Sequence, residues 1–257
     1  MKILVTGDRG FIGQNMIEAL GQEHQLTLFE WGETNPEVSG LDWVIHLGAI
    51  SSTTETNIER VMAQNFDFSR WLLNECRDKG VNFQYASSAS IYGLNQEFKE
   101  TSPVNPLSPY AWSKYLFDRY VLENDWTGIF VQGFRYFNVY GPHEEHKGNQ
   151  ASPFTQFERQ AKENGVIKLF EGSEKYHRDF VPVEMVCNVH KTFFDVYESG
   201  IWNVGTGTTM SFQEVGEMYS AMYGAKIEYI PMPDSVKNQY QTYTCADTTK
   251  LSKHYQI

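Results

Sequence analysis

The sequence predicts an α/β protein built on a Rossmann-type, doubly wound parallel sheet with a smaller C-terminal substrate-binding lobe. Short apolar runs alternate with stretches of helical periodicity from the first residues onward, which is the order of a sheet with helices on both faces. A glycine-rich turn, Gly7 to Gly13, joins the first apolar run to the first helical stretch. Parallel strands joined in this way require right-handed crossovers.

The first half of the chain supplies most of the predicted sheet. Continuous apolar runs are typical of strands that are buried on both faces. Helical periodicity, with a glycine soon after it, marks the intervening helices. The predicted strands are "KILVT", "QLTLFE", "DWVIHLGA", "NFQYASS" and "GIFVQGFR", and the predicted helices cover 11–20, 57–79 and 110–126.

Beyond residue 135, loops rich in Gly, Pro, Asn and His separate the regular elements. Helices are predicted near 154–163, 184–197 and 211–224, and strands at "IKLFEG", "IWNVGTG" and "KIEYIPMP". We expect residues 1–140, joined again by 179–207, to form the dinucleotide-binding domain. Residues 141–178 and 208–257 are then expected to form the smaller lobe.

Composition excludes several classes of protein. The net charge of −11 argues against a nucleic-acid partner, since phosphate contacts need clustered Lys and Arg. No apolar run is long enough to cross a membrane, and the first residues lack the layout of a signal peptide. The cysteines Cys76, Cys187 and Cys245 are scattered, which favours reduced thiols over a disulfide framework or a metal site. We therefore expect a cytoplasmic protein without a metal.

The glycine turn predicts a dinucleotide site. Gly7 and Gly10 allow a tight turn close to a pyrophosphate, and Gly13 allows the helix to pack on the strand. The helix N-terminus then offers free N–H groups to the phosphates. Arg9 inside the turn suits the extra phosphate of NADP, whereas Glu30 at the end of the second strand suits the ribose of NAD. The sequence favours NADP and leaves NAD open.

A serine, a tyrosine and a lysine form a second candidate site. Ser88 ends a predicted strand, and Tyr110 and Lys114 lie four residues apart, hence on one helix face. A nearby ammonium and an oxidised nicotinamide favour the phenolate of Tyr110, which can then act as a general base toward an alcohol. Ser88 could hold the substrate oxygen, and Lys114 could bind the nicotinamide ribose. A chance surface pair at Tyr110 and Lys114 is the bland alternative.

At this point the sequence resembles the extended short-chain dehydrogenase/reductases that modify nucleotide sugars. Their general motifs match "TGDRGFIG", "SSASIYG", "YAWSK" and "RYFNVYGP". The stretches "GAISSTTE", "EEHKG" and "KLFEGSE" are similar to the ADP-L-glycero-D-manno-heptose 6-epimerase family in particular. The resemblance implies a homo-oligomeric nucleotide-sugar epimerase that oxidises a carbinol to a transient carbonyl and returns the hydride to the opposite face.

The resemblance also assigns residues. It implies that Lys147 is a second acid/base group beside Tyr110. The implied cofactor contacts, besides those of the glycine turn, are Phe11, Ile12, Leu47, Gly48, Ala49, Asn65, Lys114 and Val139. The implied substrate contacts are Ser88, Asn138, Asn149, Phe170, Glu171, Gly172, Ser173, Arg178 and Tyr240.

The sequence departs from the family at several places. Asn149 stands where the family has a serine, and Gln156 where it has a histidine. Only ten residues separate Glu30 from Leu41, so an outer strand and helix are absent there and the second strand should become a sheet edge. The chain also ends at Ile257, before the family's last helix.

Three other functions compete with this interpretation. An NADPH-dependent GDP-sugar 3,5-epimerase/reductase or another sugar C-epimerase is the first, because Arg9 resembles the arginine in that group's turn. A non-catalytic dinucleotide sensor would have no need of the Ser88, Tyr110 and Lys147 set. A 4,6-dehydratase is disfavoured because "SASIY" lacks an Asp-Glu pair.

Overall fold

A computed structural model describes residues 1–233 and 241–257 of the chain. Its strands are β1 (Lys2–Thr6), β2 (Gln25–Phe29), β3 (Trp43–His46), β4 (Asn82–Ser88), β5 (Val131–Tyr136), β6 (Asn138–Tyr140), β7 (Val166–Phe170), β8 (His177–Arg178), β9 (Phe180–Pro182), β10 (Gly200–Val204), β11 (Met210–Ser211), β12 (Lys226–Ile230) and β13 (Tyr243–Thr244). Its α-helices are α1 (Phe11–Leu20), α2 (Ile58–Met62), α3 (Phe68–Lys79), α4 (Pro109–Glu123), α5 (Pro153–Asn164), α6 (Val183–Phe193) and α7 (Phe212–Tyr223).

The main sheet has six parallel strands in the order β10-β5-β4-β3-β1-β2. This confirms the predicted Rossmann-type sheet. Strand β2 lies at the edge and, among the residues that the structure describes, pairs only with β1, from Lys2 opposite Gln25 to Thr6 opposite Phe29. The predicted effect of the short segment after Glu30 is therefore confirmed: the sheet stops at its second strand.

Alternate residues of each strand enter opposite cores. Leu4 and Val44 pack with the helices α3 and α4 on one face, whereas Ile3 and Ile45 pack with α1 and α6 on the other. All four side chains have no exposed surface. Because both faces are covered, the strand sequences are continuous apolar runs rather than alternating ones.

Serine caps determine where three helices begin. The Ser108 hydroxyl accepts from the Ala111 N–H ahead of Pro109 in α4, and Ser152 caps α5 in the same way. Ser211 and Glu214 form a reciprocal capping box at the start of α7. Each cap satisfies a backbone donor that the first helical turn leaves without a partner.

A second core lies outside the main sheet. Strands β7 and β12 pair in parallel and pack with α5 and α7 around Phe157, Leu169 and Val215. Phe180 joins this core, although it falls in the segment 179–207 that was predicted to return to the dinucleotide domain. The boundaries of the two lobes stay a prediction.

The structure corrects several predicted elements. The helices predicted over 110–126 and 184–197 end at Glu123 and Phe193, and the strands predicted to reach residues 207 and 233 end at Val204 and Ile230. Strand β3 ends at His46 rather than Ala49, since Gly48 turns to pack against the backbone of Gly7. The single helix predicted over 57–79 is interrupted by a π-helical turn at Ala63–Asp67. Such turns carry an extra residue and often occur at functional sites. Within the described residues, no helix is both long and apolar enough to span a bilayer.

Candidate active site

The glycine turn between β1 and α1 leaves no room for a side chain at Gly7 or Gly13. Gly7 has a φ of 72°, and a Cβ there would lie 2.6 Å from the backbone of Gly48. A Cβ on Gly13 would lie 2.0 Å from the Gly7 oxygen. Gly10 begins α1 without a side-chain cap, which leaves the first backbone N–H groups of the helix available to a phosphate. The turn therefore fits a dinucleotide pyrophosphate.

Two charged side chains stand beside the turn. The Arg9 guanidinium donates to the Glu33 carboxylate at 2.6 Å, and both side chains are largely exposed. Glu33 also accepts from the Glu30 backbone N–H at 3.2 Å, whereas the Glu30 carboxylate accepts from its neighbour Trp31. Arg9 is thus held near the end of β2 by an acid that sequence reasoning did not single out.

A cavity of about 830 Å³ opens beyond the carboxyl ends of the central strands. In an open α/β sheet this is where ligands bind. The SSTTE loop contributes Ser51, Thr53 and Thr54 to its wall. The predicted site residues that line it are Phe11, Ile12, Ser88, Tyr110, Asn138, Val139, Lys147, Asn149, Phe170 and Ser173.

Ser88 and Tyr110 are joined directly. Ser88 ends β4, where its Oγ accepts from the Ser90 N–H at 3.1 Å. Its own proton is thereby left for Tyr110, and this hydrogen bond lowers the pKa of Tyr110. Burial acts in the opposite direction and is the larger effect, so the pKa of Tyr110 is raised overall.

Lys114 is buried next to Tyr110. Its Nζ donates to the Ala86 carbonyl oxygen at 2.8 Å and stands 6.0 Å from the centre of the Tyr110 ring. Burial lowers the pKa of Lys114 to about 8, against an opposing effect of the Asp118 charge. The described residues alone therefore do not produce the lowered Tyr110 pKa that the sequence suggested. The predicted phenolate depends on what the bound cofactor adds.

Lys147 reaches the cavity from the segment after β6. Its ammonium lies 4.8 Å from the centre of the Phe11 ring, a cation–π distance. Burial lowers the pKa of Lys147, and the Glu144 carboxylate opposes this. Glu144 is itself buried and accepts from Ser152 and Thr155 at the start of α5. The lysine is therefore placed on a segment that is anchored to a helix.

The remaining predicted residues lie in three settings. The glycine turn, Glu30 and the Leu47–Ala49 segment lie around the ends of β1 to β3. Asn65, in the π-helical turn, is buried, and its amide binds both backbone groups of Ile50 and the Ser113 hydroxyl. Glu171 and Gly172 follow Phe170 in a turn next to the cavity.

For two further predicted substrate contacts, Arg178 and Tyr240, the structure does not test the predicted binding of a substrate diphosphate. The Arg178 guanidinium donates to the carbonyl oxygens of His177 and Gln241 and lies over the Phe212 ring. It thus stands behind Phe212, which lines the cavity. Tyr240 lies outside the described residues.

Sequence reasoning missed several polar cavity residues. The Ser87 hydroxyl was not predicted; like the hydroxyl of Ser173, which was a predicted contact, it is buried, has no partner among the described residues and lines the cavity. The Gln150 amide crosses to Ser52 at 2.8 Å and so links the Lys147 segment to the SSTTE loop. Tyr136 was noted only as part of the family motif "RYFNVYGP" and given no role, yet it lines the cavity with Tyr110. Contacts between distant segments leave no local sequence pattern.

The cavity, the glycine turn and the Ser88, Tyr110 and Lys114 set can now be compared with known proteins. The model of the NAD dependent epimerase/dehydratase family matches residues 3–205. The chain belongs to this family. Membership confirms the predicted Rossmann-type fold and the need for a nicotinamide dinucleotide.

Individual relatives narrow the comparison. The ADP-L-glycero-D-manno-heptose-6-epimerase of Alkalilimnicola ehrlichii is 38% identical over 287 residues, which cover 97% of this chain and 90% of the relative. The crystal structure of the enzyme of that name from Helicobacter pylori superposes with a TM-score of 0.88 at 28% identity, over 98% of this chain and 89% of the other. A UDP-glucose 4-epimerase from Thermus thermophilus, solved with NAD, has a TM-score of 0.79 at 26% identity, over 99% of this chain and 93% of the other.

The prediction of a nucleotide-sugar epimerase of the extended short-chain dehydrogenase/reductase type is confirmed by the family and these relatives. This family member is therefore an isomerase that depends on a nicotinamide dinucleotide. The roles of its individual site residues stay predictions.

Proposed function

We propose that the protein epimerises carbon six of an ADP-glycero-manno-heptose. The observation that carries the proposal is that one cavity receives both predicted acid/base groups, Tyr110 and Lys147, from separate segments of the chain. An epimerase needs a proton acceptor for each of the two configurations of the carbinol. Two such groups in one cavity meet that need, and the 38% identical relative carries this activity in its name.

The described residues support a division of labour. A dinucleotide whose pyrophosphate is held at the glycine turn would supply, through its nicotinamide, the acceptor and donor of the hydride. Tyr110 takes the hydroxyl proton of one epimer, and Ser88 donates a hydrogen bond that stabilises the phenolate form. Lys147 exchanges the proton of the other epimer. Its pKa is lowered by burial, which makes the neutral amine more available as a base at moderate pH.

Polar groups in the cavity suit a sugar. The Ser87 and Ser173 hydroxyls have no hydrogen-bond partner in the part of the chain that the structure describes. Each can bond a ligand hydroxyl, which removes the free-energy cost of burying it alone. Asn138 and Asn149 add amides to the same cavity. We further propose that the nucleotide end of the ligand lies toward β7, with the substrate contacts predicted for Phe170, Glu171, Gly172, Arg178 and Tyr240.

We propose NADP as the cofactor, with NAD as the alternative. Arg9 is exposed and held by an ion pair to Glu33 at 2.6 Å. An exposed ion pair of this kind contributes little to stability, so a phosphate can replace the carboxylate as the partner of Arg9. Phosphate binds guanidinium well because two parallel hydrogen bonds can form. Glu33 would then oppose the same phosphate, and the two side chains together set the preference.

Two further proposals concern the setting of the enzyme. The thiols Cys76, Cys187 and Cys245 are unpaired, which accords with a reducing cytoplasm. Exposed Trp112 and Leu122 on α4 supply apolar surface for a homo-oligomer, which light scattering of the purified protein would measure. We retain the proposed division into a dinucleotide domain (1–140 and 179–207) and a substrate lobe (141–178 and 208–257).

The decisive experiment follows the two carbon-six epimers of ADP-heptose by NMR. We expect the protein to interconvert them without net consumption of NADPH, because the cofactor is restored in each turnover. Tyr110→Phe should lower the rate by at least a hundredfold, the usual contribution of a positioned general base. NADPH binding, measured by fluorescence, should stay within about twofold, since the glycine turn is untouched.

Tyr120→Phe is the matched control. Tyr120 lies on the same helix but donates to Asn74, away from the cavity, so its loss should leave turnover unchanged. An absence of interconversion by the folded wild-type protein would refute the heptose proposal. Consumption of NADPH on a GDP-sugar would instead favour the epimerase/reductase alternative.

A further inference from the structure

A chain of buried polar side chains leads from the cavity to the far end of the sheet. It begins at Tyr136, the last residue of β5, which lines the cavity. The Tyr136 hydroxyl lies 2.5 Å from His190 Nε2, and His190 Nδ1 lies 2.7 Å from Gln84 Oε1. Gln84 Nε2 donates to Gln132 Oε1 at 2.9 Å. Apart from Tyr136, which is 7% exposed, these side chains have no exposed surface.

The donor and the acceptor of each hydrogen bond in this chain follow from the bonds that Gln132 makes at the end farthest from the cavity. Gln132 Nε2 donates to the backbone oxygens of Val196 and Glu198, and carbonyl oxygens can only accept. The amide oxygen of Gln132 must therefore face Gln84 and accept from its Nε2. Gln84 Nε2 also donates to the His190 carbonyl oxygen at 3.2 Å, which fixes the Gln84 amide in the same orientation.

The same logic then determines the tautomer of His190. Gln84 presents an oxygen to Nδ1, so the proton of the neutral imidazole must be on Nδ1. Burial lowers the pKa of His190 to about 3, so the ring carries one proton at neutral pH. Nε2 then has only a lone pair, and the Tyr136 hydroxyl must donate to it. Tyr136 consequently has no proton to offer the cavity.

We infer that His190 is a positioning residue that, through Tyr136, presents a hydrogen-bond acceptor to the ligand in the cavity. The matching ligand group is an N–H or O–H donor. Tyr110 lies close enough for its charge to affect Tyr136, so this acceptor stands beside the proposed base. The inference rests on the proposed function only in that the donor belongs to the nicotinamide carboxamide or to a sugar hydroxyl.

The tautomer can be observed directly. Long-range ¹H–¹⁵N correlation spectra of the full chain, labelled at its 7 histidines, distinguish the two neutral tautomers. The His190 signals are those that disappear in His190→Leu. We expect a proton on Nδ1 and none on Nε2 at pH 7. A proton on Nε2 would overturn the inference, because Tyr136 would then be free to donate into the cavity.

A double-mutant cycle tests the action through Tyr136. Dissociation constants for NADPH and for ADP-D-glycero-D-manno-heptose are measured for Tyr136→Phe, His190→Leu and the double variant. We expect each single variant to weaken one of the two ligands by about three- to tenfold, the value of one neutral hydrogen bond. The double variant should be no weaker than Tyr136→Phe alone, since His190 acts only through that hydroxyl.

The pattern of losses identifies the donor and separates the possible failures. Weakened NADPH indicates the carboxamide, and weakened sugar nucleotide indicates a sugar hydroxyl. Additive losses, or unchanged constants in both single variants, would overturn the inference. If His190→Leu does not fold, Gln84→Met removes the acceptor at Nδ1 and enters the same cycle. If the protein does not bind ADP-heptose, the proposed substrate fails, whereas the spectrum and the NADPH titration still decide the role of His190.

Discussion

A buried ion pair holds the helix that carries Tyr110 and Lys114 onto the sheet. Asp118, one turn after Lys114 on α4, accepts from Arg135 Nε at 2.9 Å and from the Tyr85 hydroxyl at 3.0 Å. The Arg135 side chain is 4% exposed and the Asp118 side chain is 1% exposed. Arg135 continues the network to the Tyr92 hydroxyl and the Glu100 carbonyl oxygen. We predict that Asp118→Asn destabilises the fold strongly.

The magnitude follows from what remains after the change. The substitution preserves shape but leaves the Arg135 charge buried without a counter-charge, which costs about 3–5 kcal/mol of unfolding free energy. For a chain of 257 residues, unfolding entropy of about 2.1 cal/mol/K per residue converts this to a melting temperature lower by about 6–9 °C. Urea denaturation, followed by fluorescence and circular dichroism together, measures the free energy and checks that both probes report one transition.

Asp67→Asn is the control for this prediction. Asp67 pairs with Arg70 at 3.6 Å on the protein surface, where the side chains are 57% and 49% exposed. The same chemical change there should cost less than about 1 kcal/mol. A loss below 1 kcal/mol for Asp118→Asn, similar to that of the control, would refute the reasoning that the buried pair organises the catalytic helix.

Two other predictions concern charge. Arg9→Ala should weaken the binding of NADP about tenfold relative to that of NAD. Glu33→Gln should tighten the binding of NADP by about two- to fivefold, since the exposed Glu33 carboxylate competes for Arg9. Unchanged ratios of the two dissociation constants in fluorescence titrations would show that neither residue sets the cofactor preference. Burial lowers the pKa of Lys114 from 10.5 to about 8, so the folded chain releases this proton at a lower pH than the unfolded chain does. As the pH increases from 8 to 9.5, the unfolding free energy of the wild-type protein should therefore rise relative to that of Lys114→Met. Parallel denaturation curves across that range would contradict the shift.

The parts of the fold that depend on a local sequence pattern were predictable. Continuous apolar runs predicted the strands of the main sheet because both of their faces are covered. Serine and proline at helix starts, and glycine at helix ends, act within a few residues. The absence of an outer strand was also visible, since only ten residues separate Glu30 from Leu41 and a strand-helix unit needs more.

The rest depends on contacts between distant segments. Gln84 and His190 are 106 residues apart, and no local sequence pattern links them. The ion pair of Arg9 with Glu33 joins two loops. The sequence predicted a lowered pKa for Tyr110 because Lys114 is nearby. The larger effect is burial, which raises this pKa and depends on all the segments that pack around the ring. Very short strands such as β8 and β11 have too few residues for any periodicity.

The exposed edge at β2 also bears on how the protein behaves at high concentration. Thr27 and Leu28 are exposed on this strand, and an uncovered edge offers backbone groups to which a strand of another molecule can add. Acidic residues flank the edge, with Glu23 before it and Glu30 and Glu33 after it. Glu23 and Glu33 are held in ion pairs with Lys191 and Arg9. The charge of Glu30 is the one that would repel an approaching copy, so this residue acts as a gatekeeper against aggregation. Glu30→Gln should make edge-to-edge association easier, which light scattering as a function of protein concentration would detect.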